Sequence, residues 1–259
     1  MGKHNFNAAY STSTAKMLTF YDIKNKDHDS WSPNTLKTEF LLAHMGLTKR
    51  DDFKLEWISY PDIKPLLESK SVPPAPFDDP TTQFTLPAIE HNGKVFMDSF
   101  AIAKYLASAF PDSPPVFYAQ SEPLCLLLTN QLMTHIGRVL FPLLLPRIIA
   151  MLDDKGAEYF RRTREEKLKL TITEDINSDT KRIEEIWKTV QQPLSVVNDM
   201  LKEHTDGPFF YGKQRSYADC ILLAFLKWWK RCGEKEFFER ALEVAPELRK
   251  VWDASADII

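Results

Sequence analysis

The chain has 259 residues, of which 44% are hydrophobic and 27% charged, and its net charge is -3 at pH 7. This composition is typical of a globular protein of one or two domains and excludes disordered, collagen-like and coiled-coil classes. The small negative charge offers no basic surface to a phosphate backbone, so nucleic acid is not an expected partner. Seventeen prolines against eight glycines disfavour a glycine-rich nucleotide loop and favour helices bounded by proline.

The cysteines and the apolar stretches limit the compartment and the cofactors. Cys125, Cys220 and Cys232 have no CxxC spacing, and no histidine has metal-ligand spacing, so neither a disulfide framework nor a metal site is predicted. A reducing compartment, the cytoplasm, is therefore expected. The longest apolar stretch, residues 139–152, contains two prolines and an arginine, which predicts no membrane span. Residues 1–16 lack the apolar core of a secretory signal and are predicted to be a flexible tail or a cloning remnant.

The first elements along the chain are predicted to be a strand, a helix and a strand. Residues 18–23 and 53–58 are short apolar and aromatic runs, and the second alternates strictly, as in a strand with one solvated face. Between them, Ser32 before Pro33 indicates the start of a helix, and Gly46 indicates its end. Two strands joined through one helix predict a right-handed unit with parallel strand pairing.

A proline-rich stretch follows, irregular or helical, in which residues 69–84 have no predicted role. Residues 86–90 and 94–97 are strand-like and are joined through Asn92-Gly93, whose tolerance of positive φ predicts a tight antiparallel hairpin. Asp98 then precedes apolar residues at helical spacing. The predicted order of this half is β-α-β, an irregular or helical segment, then β-β-α.

The second half of the chain is predicted to be helical throughout. Residues 111–115 are rich in proline and favour a linker between domains. Beyond them, apolar residues at three- and four-residue spacing predict helices at 124–133, 158–170, 176–201, 218–229 and 237–252. Ser216 and Asp219 form a capping-box pattern at the start of one of these, to which we assign a structural role. The predicted fold class is α/β plus all-α, with domains at residues 17–111 and 120–259.

The mouth of the first helix is one candidate site. A hydroxyl at Ser32 lies beside unsatisfied backbone amides and the positive end of a helix dipole, so it can hold an anion such as a thiolate. Ser30 and Asn34 are alternatives for the same role. The competing interpretation is that Ser32 is an ordinary N-cap, a position for which serine is among the preferred residues.

Two further segments of the first domain carry candidate binding residues. The Leu86–Pro87 bond, after Thr85, can be cis, and a proline at a strand edge leaves the Leu86 backbone free to pair with an extended peptide ligand. Ser99, at a helix start, can bind a carboxylate while Asp98 binds an amine, although an ordinary cap explains both residues equally. Together the three segments suit a thiol, a peptide backbone and an amino-acid head group.

These motifs resemble the glutathione transferase superfamily, in which a thioredoxin-like N-terminal domain precedes an all-helical C-terminal domain. The runs that narrow the resemblance to the fungal etherase-like class, relatives of the bacterial lignin β-etherases, are residues 20–23, 31–35, 60–63, 85–87, 98–99 and 101–106. The resemblance implies a cytoplasmic, homodimeric enzyme with glutathione as its co-substrate.

The resemblance also implies roles for individual residues. Ser32 would donate a hydrogen bond to the glutathione sulfur, the Thr85-Leu86-Pro87 segment would pair with the cysteinyl backbone, and Asp98 and Ser99 would hold the γ-glutamyl end. Because serine stabilises a thiolate without forming a mixed disulfide, conjugation or ether cleavage is favoured over thiol exchange.

The implied substrates are hydrophobic aromatic electrophiles, with aryl ethers of the lignin-fragment type suggested by the resemblance. They would bind between the domains, beside the helix around residues 124–138, where Met133, His135 and Arg138 are candidates to face them. The alternative function is a carrier of aromatic or polyphenolic compounds with little or no turnover, because fold alone does not settle function.

Overall fold

A four-stranded sheet with helices packed on it forms the first domain. The computed structural model describes residues 17–49, 51–172, 179–233 and 235–259, so the predicted tail at 1–16 lies outside the described residues. The elements of the domain are β1 (Leu18–Ile23), α1 (Pro33–His44), β2 (Phe53–Ile58), α2 (Tyr60–Ser69), a 3₁₀ turn (Pro80–Thr82), β3 (Ala88–His91), β4 (Lys94–Met97) and α3 (Ser99–Ala109).

The strand order is β2-β1-β3-β4. β1 pairs with β2 in parallel, and β3 pairs with β4 antiparallel, so both predicted pairings are confirmed. The hairpin turn has φ of 52° at Asn92 and 77° at Gly93, the positive angles that the sequence predicts. Because β1 is antiparallel to β3, the end of β1, the start of β3 and the end of β4 share one edge of the sheet. The three candidate segments therefore meet at that edge.

The second domain is all-helical, as predicted. Its helices are α4 (Glu122–Asn130), a π-helical segment (Gln131–Gly137), α5 (Arg138–Met151), α6 (Asp154–Leu168), α7 (Thr180–Lys202), α8 (Tyr217–Cys232), α9 (Lys235–Val244) and α10 (Pro246–Asp253). The helix predicted over 176–201 is described from Thr180 onward, and residues 173–178 lie outside the described residues. The helix predicted over 237–252 is two helices, because Pro246 cannot continue the first.

Residues 139–151 form part of one helix despite their two prolines. Pro142 and Pro146 lie inside α5, where each removes a backbone hydrogen-bond donor. Leu140, Leu143 and Leu145 of the same helix are buried, and their packing against the other helices offsets that loss.

The continuous helix from Glu122 to Met151 is, by length and composition, apolar enough to cross a membrane. Half of its most apolar window is buried inside the protein, and a buried core helix passes the same test. Gly137 explains the close packing here, because a Cβ at this position would lie 3.3 Å from the Phe225 ring of α8.

Helix α8 is mostly buried in the second domain and also packs against α1 of the first domain. The capping box at its start is present: the Asp219 carboxylate accepts from the Ser216 amide at 2.7 Å and from the Phe210 amide at 3.0 Å. The same helix packs along α1, which also contacts α3 of the first domain. The beginning of α1 is thereby held between the two domains.

Candidate functional site

A cavity of about 220 Å³ lies between the shared sheet edge and α6. That volume is several times the roughly 30 Å³ that one water occupies in the liquid. It is lined from the start of α1 by Ser32 and Asn34, from the segment before β3 by Phe84, Thr85 and Leu86, from α2 by Tyr60 and Lys64, and from α6 by Tyr159 and Arg164, together with Ile23, Pro61, Ile63, Pro80, Thr81 and Thr82.

The Ser32 side chain is available to a ligand. Ser32 is the N-cap residue of α1, and its carbonyl accepts from the Leu36 amide at 2.9 Å. Its hydroxyl makes no cap hydrogen bond, although capping is the usual reason for a serine here. The hydroxyl lines the cavity at the helix N-terminus, where backbone N–H groups favour an anion. Ser32 is therefore the N-cap residue by position, as the competing interpretation holds, but its side chain does not form the capping hydrogen bond.

Ser30 has a different partner. Its hydroxyl donates to a carboxylate oxygen of Asp22 at 2.5 Å, and both side chains are buried. Burial raises the pKa of Asp22 to about 6, against the opposing hydrogen bonds from Ser30, Thr35 and the Ile23 amide. Ser30 does not line the cavity, so the structure does not support it as the alternative to Ser32. Asn34 lines the cavity and stays a candidate.

The segment before β3, residues 85–87, contains the peptide bond for which the sequence allows a cis conformation. The Leu86–Pro87 peptide bond is cis, as the sequence suggested. Thr85 and Leu86 line the cavity, and the Thr85 amide donates to the Met97 sulfur at 3.3 Å, which joins this segment to the end of β4. Pro87 is buried behind them.

Asp98 and Ser99 lie at the same sheet edge but outside the lining of this cavity. One carboxylate oxygen of Asp98, Oδ1, accepts from the Phe100 and Ala101 amides at 3.0 and 2.9 Å, so Asp98 is a helix cap as well as a candidate. Its Oδ2 has no hydrogen-bond partner within the described residues. Ser99 interacts with the Tyr217 hydroxyl of α8, which joins the head-group segment to the second domain.

A buried cation near Asp98 was missed by the sequence analysis. Lys37 of α1 is 3% exposed, and burial lowers the pKa of its ammonium to about 8, with Asp98 acting in the opposite direction. The apolar spacing of α1 predicts one buried stripe. It gives no signal for Lys37, because α1 also packs against α8 and α3, which are distant in sequence.

The helix that faces the cavity also differs from the prediction. Met133, His135 and Arg138 do not line it, and the last two are exposed. Tyr159 and Arg164 of α6 line it instead. Helical periodicity shows that a stretch is amphipathic but not which partner its apolar face meets.

Aromatic rings form the wall on that side. The ring centres of Tyr60 and Tyr159 are 6.2 Å apart with the planes 17° from parallel. Burial raises the pKa of Tyr60 to about 12, so its hydroxyl stays protonated at neutral pH. Stacked aromatic rings of α2 and α6 thus form part of the cavity lining.

Residues 69–84, for which no role was predicted, supply another wall. Asp79 caps the 3₁₀ turn through the Thr81 amide at 2.9 Å, and Lys167 of α6 donates to its other oxygen at 2.6 Å. Phe84 and the turn residues then line the cavity. This segment therefore joins the first domain to α6.

The cysteines lie away from the cavity lining. Cys125, Cys220 and Cys232 are free and buried. Across the described parts of the chain, no group of three or more His, Cys, Asp or Glu side chains could hold a metal ion.

Comparisons with known proteins agree with this architecture. Models of the glutathione S-transferase N-terminal and C-terminal domains match residues 31–109 and 124–243. The glutathione S-transferase-like protein ustS of Aspergillus flavus is 34% identical over 254 residues, which cover 92% of this chain and 89% of that protein.

Solved structures are similar over nearly the whole chain. The glutathione S-transferase CsGST63524 of Ceriporiopsis subvermispora, in complex with glutathione, has a TM-score of 0.81 at 26% identity, over 94% of this chain and 98% of that one. The β-etherase LigF of Sphingobium sp. strain SYK-6 has a TM-score of 0.59 at 18% identity, over 92% and 93%, and so shows a common fold alone.

Proposed function

Because the chain belongs to the glutathione S-transferase family, we propose that it transfers glutathione to aromatic electrophiles, with Ser32 stabilising the thiolate. The observation that carries the proposal is the Ser32 hydroxyl, which lines the interdomain cavity at the start of α1 without capping the helix. Residues 17–111 would hold glutathione and residues 120–259 would complete the electrophile site.

The chemistry follows from the thiol. A free thiol has a pKa near 8.5, so at neutral pH a few per cent of it is the nucleophilic thiolate. A hydrogen bond from Ser32 and the positive end of α1 both favour the anion. The thiolate then attacks an electrophilic carbon, a carbon–sulfur bond forms, and the leaving group departs with the electron pair of its bond to that carbon. Asn34 is the second candidate for the hydrogen bond.

The other parts of glutathione have matching groups at the same sheet edge. The Leu86 backbone, between Thr85 and Pro87, would pair with the cysteinyl residue. The free Oδ2 of Asp98 suits the γ-glutamyl amine, and Ser99 at the N-terminus of α3 suits its carboxylate. These assignments rest on the family and on the meeting of the segments at one edge.

The aromatic walls support aromatic electrophiles. Tyr60, Phe84 and Tyr159 offer ring faces, which favour stacking on a flat substrate. Within this class we propose aryl ethers of the lignin-fragment type, for which the leaving group is a phenolate. The alternative is a carrier that binds aromatic or polyphenolic compounds in the same cavity without turnover.

The test is glutathione-dependent release of a fluorescent phenol from a model β-aryl ether. Ser32→Ala should lower kcat/KM roughly 10- to 100-fold, the loss expected for one hydrogen bond to a charged group. Asn34→Ala, measured in parallel, tests the second candidate, and we expect it to lower kcat/KM less than Ser32→Ala does. Titration of the thiolate absorbance of bound glutathione should show a higher thiol pKa in Ser32→Ala.

The outcomes separate the alternatives. Turnover and thiol pKa that are unchanged in Ser32→Ala would remove Ser32 from the mechanism and leave the enzyme class standing. Absence of turnover with this ether and with a general electrophile, together with tight binding of polyphenols, would favour the carrier.

We also propose that the protein is a cytoplasmic homodimer. The Leu126 and Leu127 side chains of α4 are 53% and 68% exposed and adjacent, an apolar patch that a second copy would cover. Light scattering should give twice the 29.9 kDa of the chain. A double Glu substitution at these leucines should give the monomer mass, whereas Leu168→Glu, at an exposed leucine of α6, should not. The three reduced, buried cysteines are consistent with the cytoplasm.

A further inference from the structure

The charged side chains that line the interdomain cavity are all positive. Among the described residues that line it, two are cationic, Lys64 of α2 and Arg164 of α6, and none is an aspartate or a glutamate. A concave site lined by one sign of charge raises the local concentration of ligands of the opposite sign. The cavity therefore favours an anionic group beside its aromatic walls.

Arg164 is fixed in place but not neutralised. Its guanidinium carbon lies 4.4 Å from the centre of the Phe160 ring and 5.7 Å from that of Tyr60. One amino group donates to the Thr163 hydroxyl at 2.9 Å. In the described part of the chain no carboxylate lies within ion-pair distance of it. The stacking orients the planar fork, so less conformational entropy is lost when a ligand binds.

Neighbouring cations of the same region do have acidic partners. Lys167 pairs with Asp79 at 2.6 Å, and Arg161 lies 3.6 Å from Glu165. Lys64, the other cavity cation, lies 3.7 Å from Glu68. Arg164 thus differs from them in having a neutral hydrogen-bond partner, and its guanidinium lies over two aromatic rings, whereas the Lys64 ammonium lies over one, that of Phe84.

We propose that the electrophile is an aromatic acid, whose carboxylate pairs with Arg164 while its ring packs against Tyr60 and Tyr159. This inference rests on the proposed transferase function and narrows its substrate class. Arginine suits the role because its fork donates two parallel hydrogen bonds to a carboxylate. A carboxylate of glutathione is the other source of the same chemistry, and the experiment distinguishes the two.

The experiment compares 4-chloro-3-nitrobenzoate with its methyl ester. In both, the glutathione thiolate attacks the ring carbon that bears chlorine, the carbon–sulfur bond forms, and chloride leaves. Wild type should favour the acid in kcat/KM despite the less activating carboxylate, after correction for the uncatalysed rates. Arg164→Gln should reduce that preference roughly 10- to 100-fold, through KM of the acid. Arg164→Lys, which keeps the charge and loses the fork, should fall between them.

Lys155→Gln is the control, since Lys155 is an exposed cation of the same helix, pairs with Asp62 and does not line the cavity. It should leave the acid preference unchanged. An equal loss in both variants would mean a long-range charge effect and would overturn the proposal. A raised KM for glutathione with acid and ester alike in Arg164→Gln would assign Arg164 to glutathione and also overturn it. Equal use of acid and ester by wild type would do the same.

Binding measurements separate this inference from the proposed function. If neither compound is turned over, the transferase proposal fails. Calorimetry with the unreactive 3-nitrobenzoate and its methyl ester still tests the cavity, because the acid should bind more tightly to wild type than to Arg164→Gln. Equal affinities in the two proteins would overturn the inference on its own.

Discussion

The Ser30 hydroxyl lies 2.5 Å from a carboxylate oxygen of Asp22, two residues before the serine that lines the cavity. Asp22 is fully buried at the end of β1, where its carboxylate also accepts from the Ile23 amide at 2.6 Å. The loop that presents Ser32 is thus anchored on a buried acid. Burial raises the pKa of that acid to about 6, so its charge changes within the working range of most assays.

Asp22→Asn should therefore change how stability depends on pH. Because the native pKa of about 6 lies above the ordinary 3.8, the native state holds a proton that the unfolded state releases between these values. The contribution of Asp22 is fully present below about pH 4 and is lost as the pH rises through 6. The free energy of unfolding of Asp22→Asn, minus that of wild type, should rise by about 3 kcal/mol between pH 4 and pH 8.

Urea denaturation of both proteins across that range measures the difference directly. Other titrating groups are common to both proteins and cancel. Asp62→Asn, which alters an exposed carboxylate of α2, is the control for the loss of a carboxylate. A difference that does not vary with pH for Asp22→Asn would mean that Asp22 has an ordinary pKa in the native state.

Local signals in the sequence were sufficient for the first domain. Pro33 and Gly46 bound α1 as predicted, and Asn92-Gly93 makes the hairpin, because each of these residues limits its own backbone angles. The sheet edge then brings the candidate segments together, since strand direction follows from the connections. The features that could be predicted, the bounds of α1 and the hairpin turn, depend on residues close together in the sequence.

The rest depended on contacts between distant parts of the chain. Lys37 is buried in α1, which packs against both α8 and α3, and Arg164 lines the cavity because α6 packs against α2. Ser30 and Ser32 are equivalent by residue type, and the buried partner of Ser30, Asp22, distinguishes them. The two prolines inside α5 are tolerated because burial of the surrounding leucines outweighs the lost hydrogen bonds.

The three cysteines should be unreactive in the native protein. Burial raises the pKa of Cys125 and of Cys232 to about 12 and raises that of Cys220 as well, so thiolate is scarce at each. A chromogenic disulfide reagent at pH 8 should detect no thiol in the folded protein and three after denaturation. Fast reaction of any one would contradict the burial. If the three cysteines are unreactive, all thiol consumed in an activity assay comes from glutathione.

Asp219→Ala should strongly destabilise the second domain. The carboxylate accepts from the Ser216 and Phe210 amides and from the Ser216 hydroxyl, all at 3.0 Å or less. Removing it leaves buried donors without acceptors, which should lower the free energy of unfolding by roughly 2 to 4 kcal/mol in urea titrations. Asp199→Ala, which removes an exposed pair with Lys202 on α7, should change little. Equal effects of the two would contradict the capping role.

Lys37→Met should stabilise the protein at neutral pH. The native pKa of about 8 lies below the ordinary 10.5, because burial disfavours the charged ammonium. At pH 7 the native state carries a charge that is unfavourable there, and its removal should raise the free energy of unfolding by roughly 3 kcal/mol. Between pH 8 and pH 10.5 the native state loses the proton while the unfolded state keeps it, so wild type gains stability and the advantage of Lys37→Met shrinks.

Urea titrations at pH 7, 8.5 and 9.5 measure this trend, with the exposed Lys104→Met of α3 as the control for loss of a lysine. A variant less stable than wild type at pH 7, or an advantage that does not change with pH, would show that the Lys37 ammonium has a stabilising partner in the folded protein.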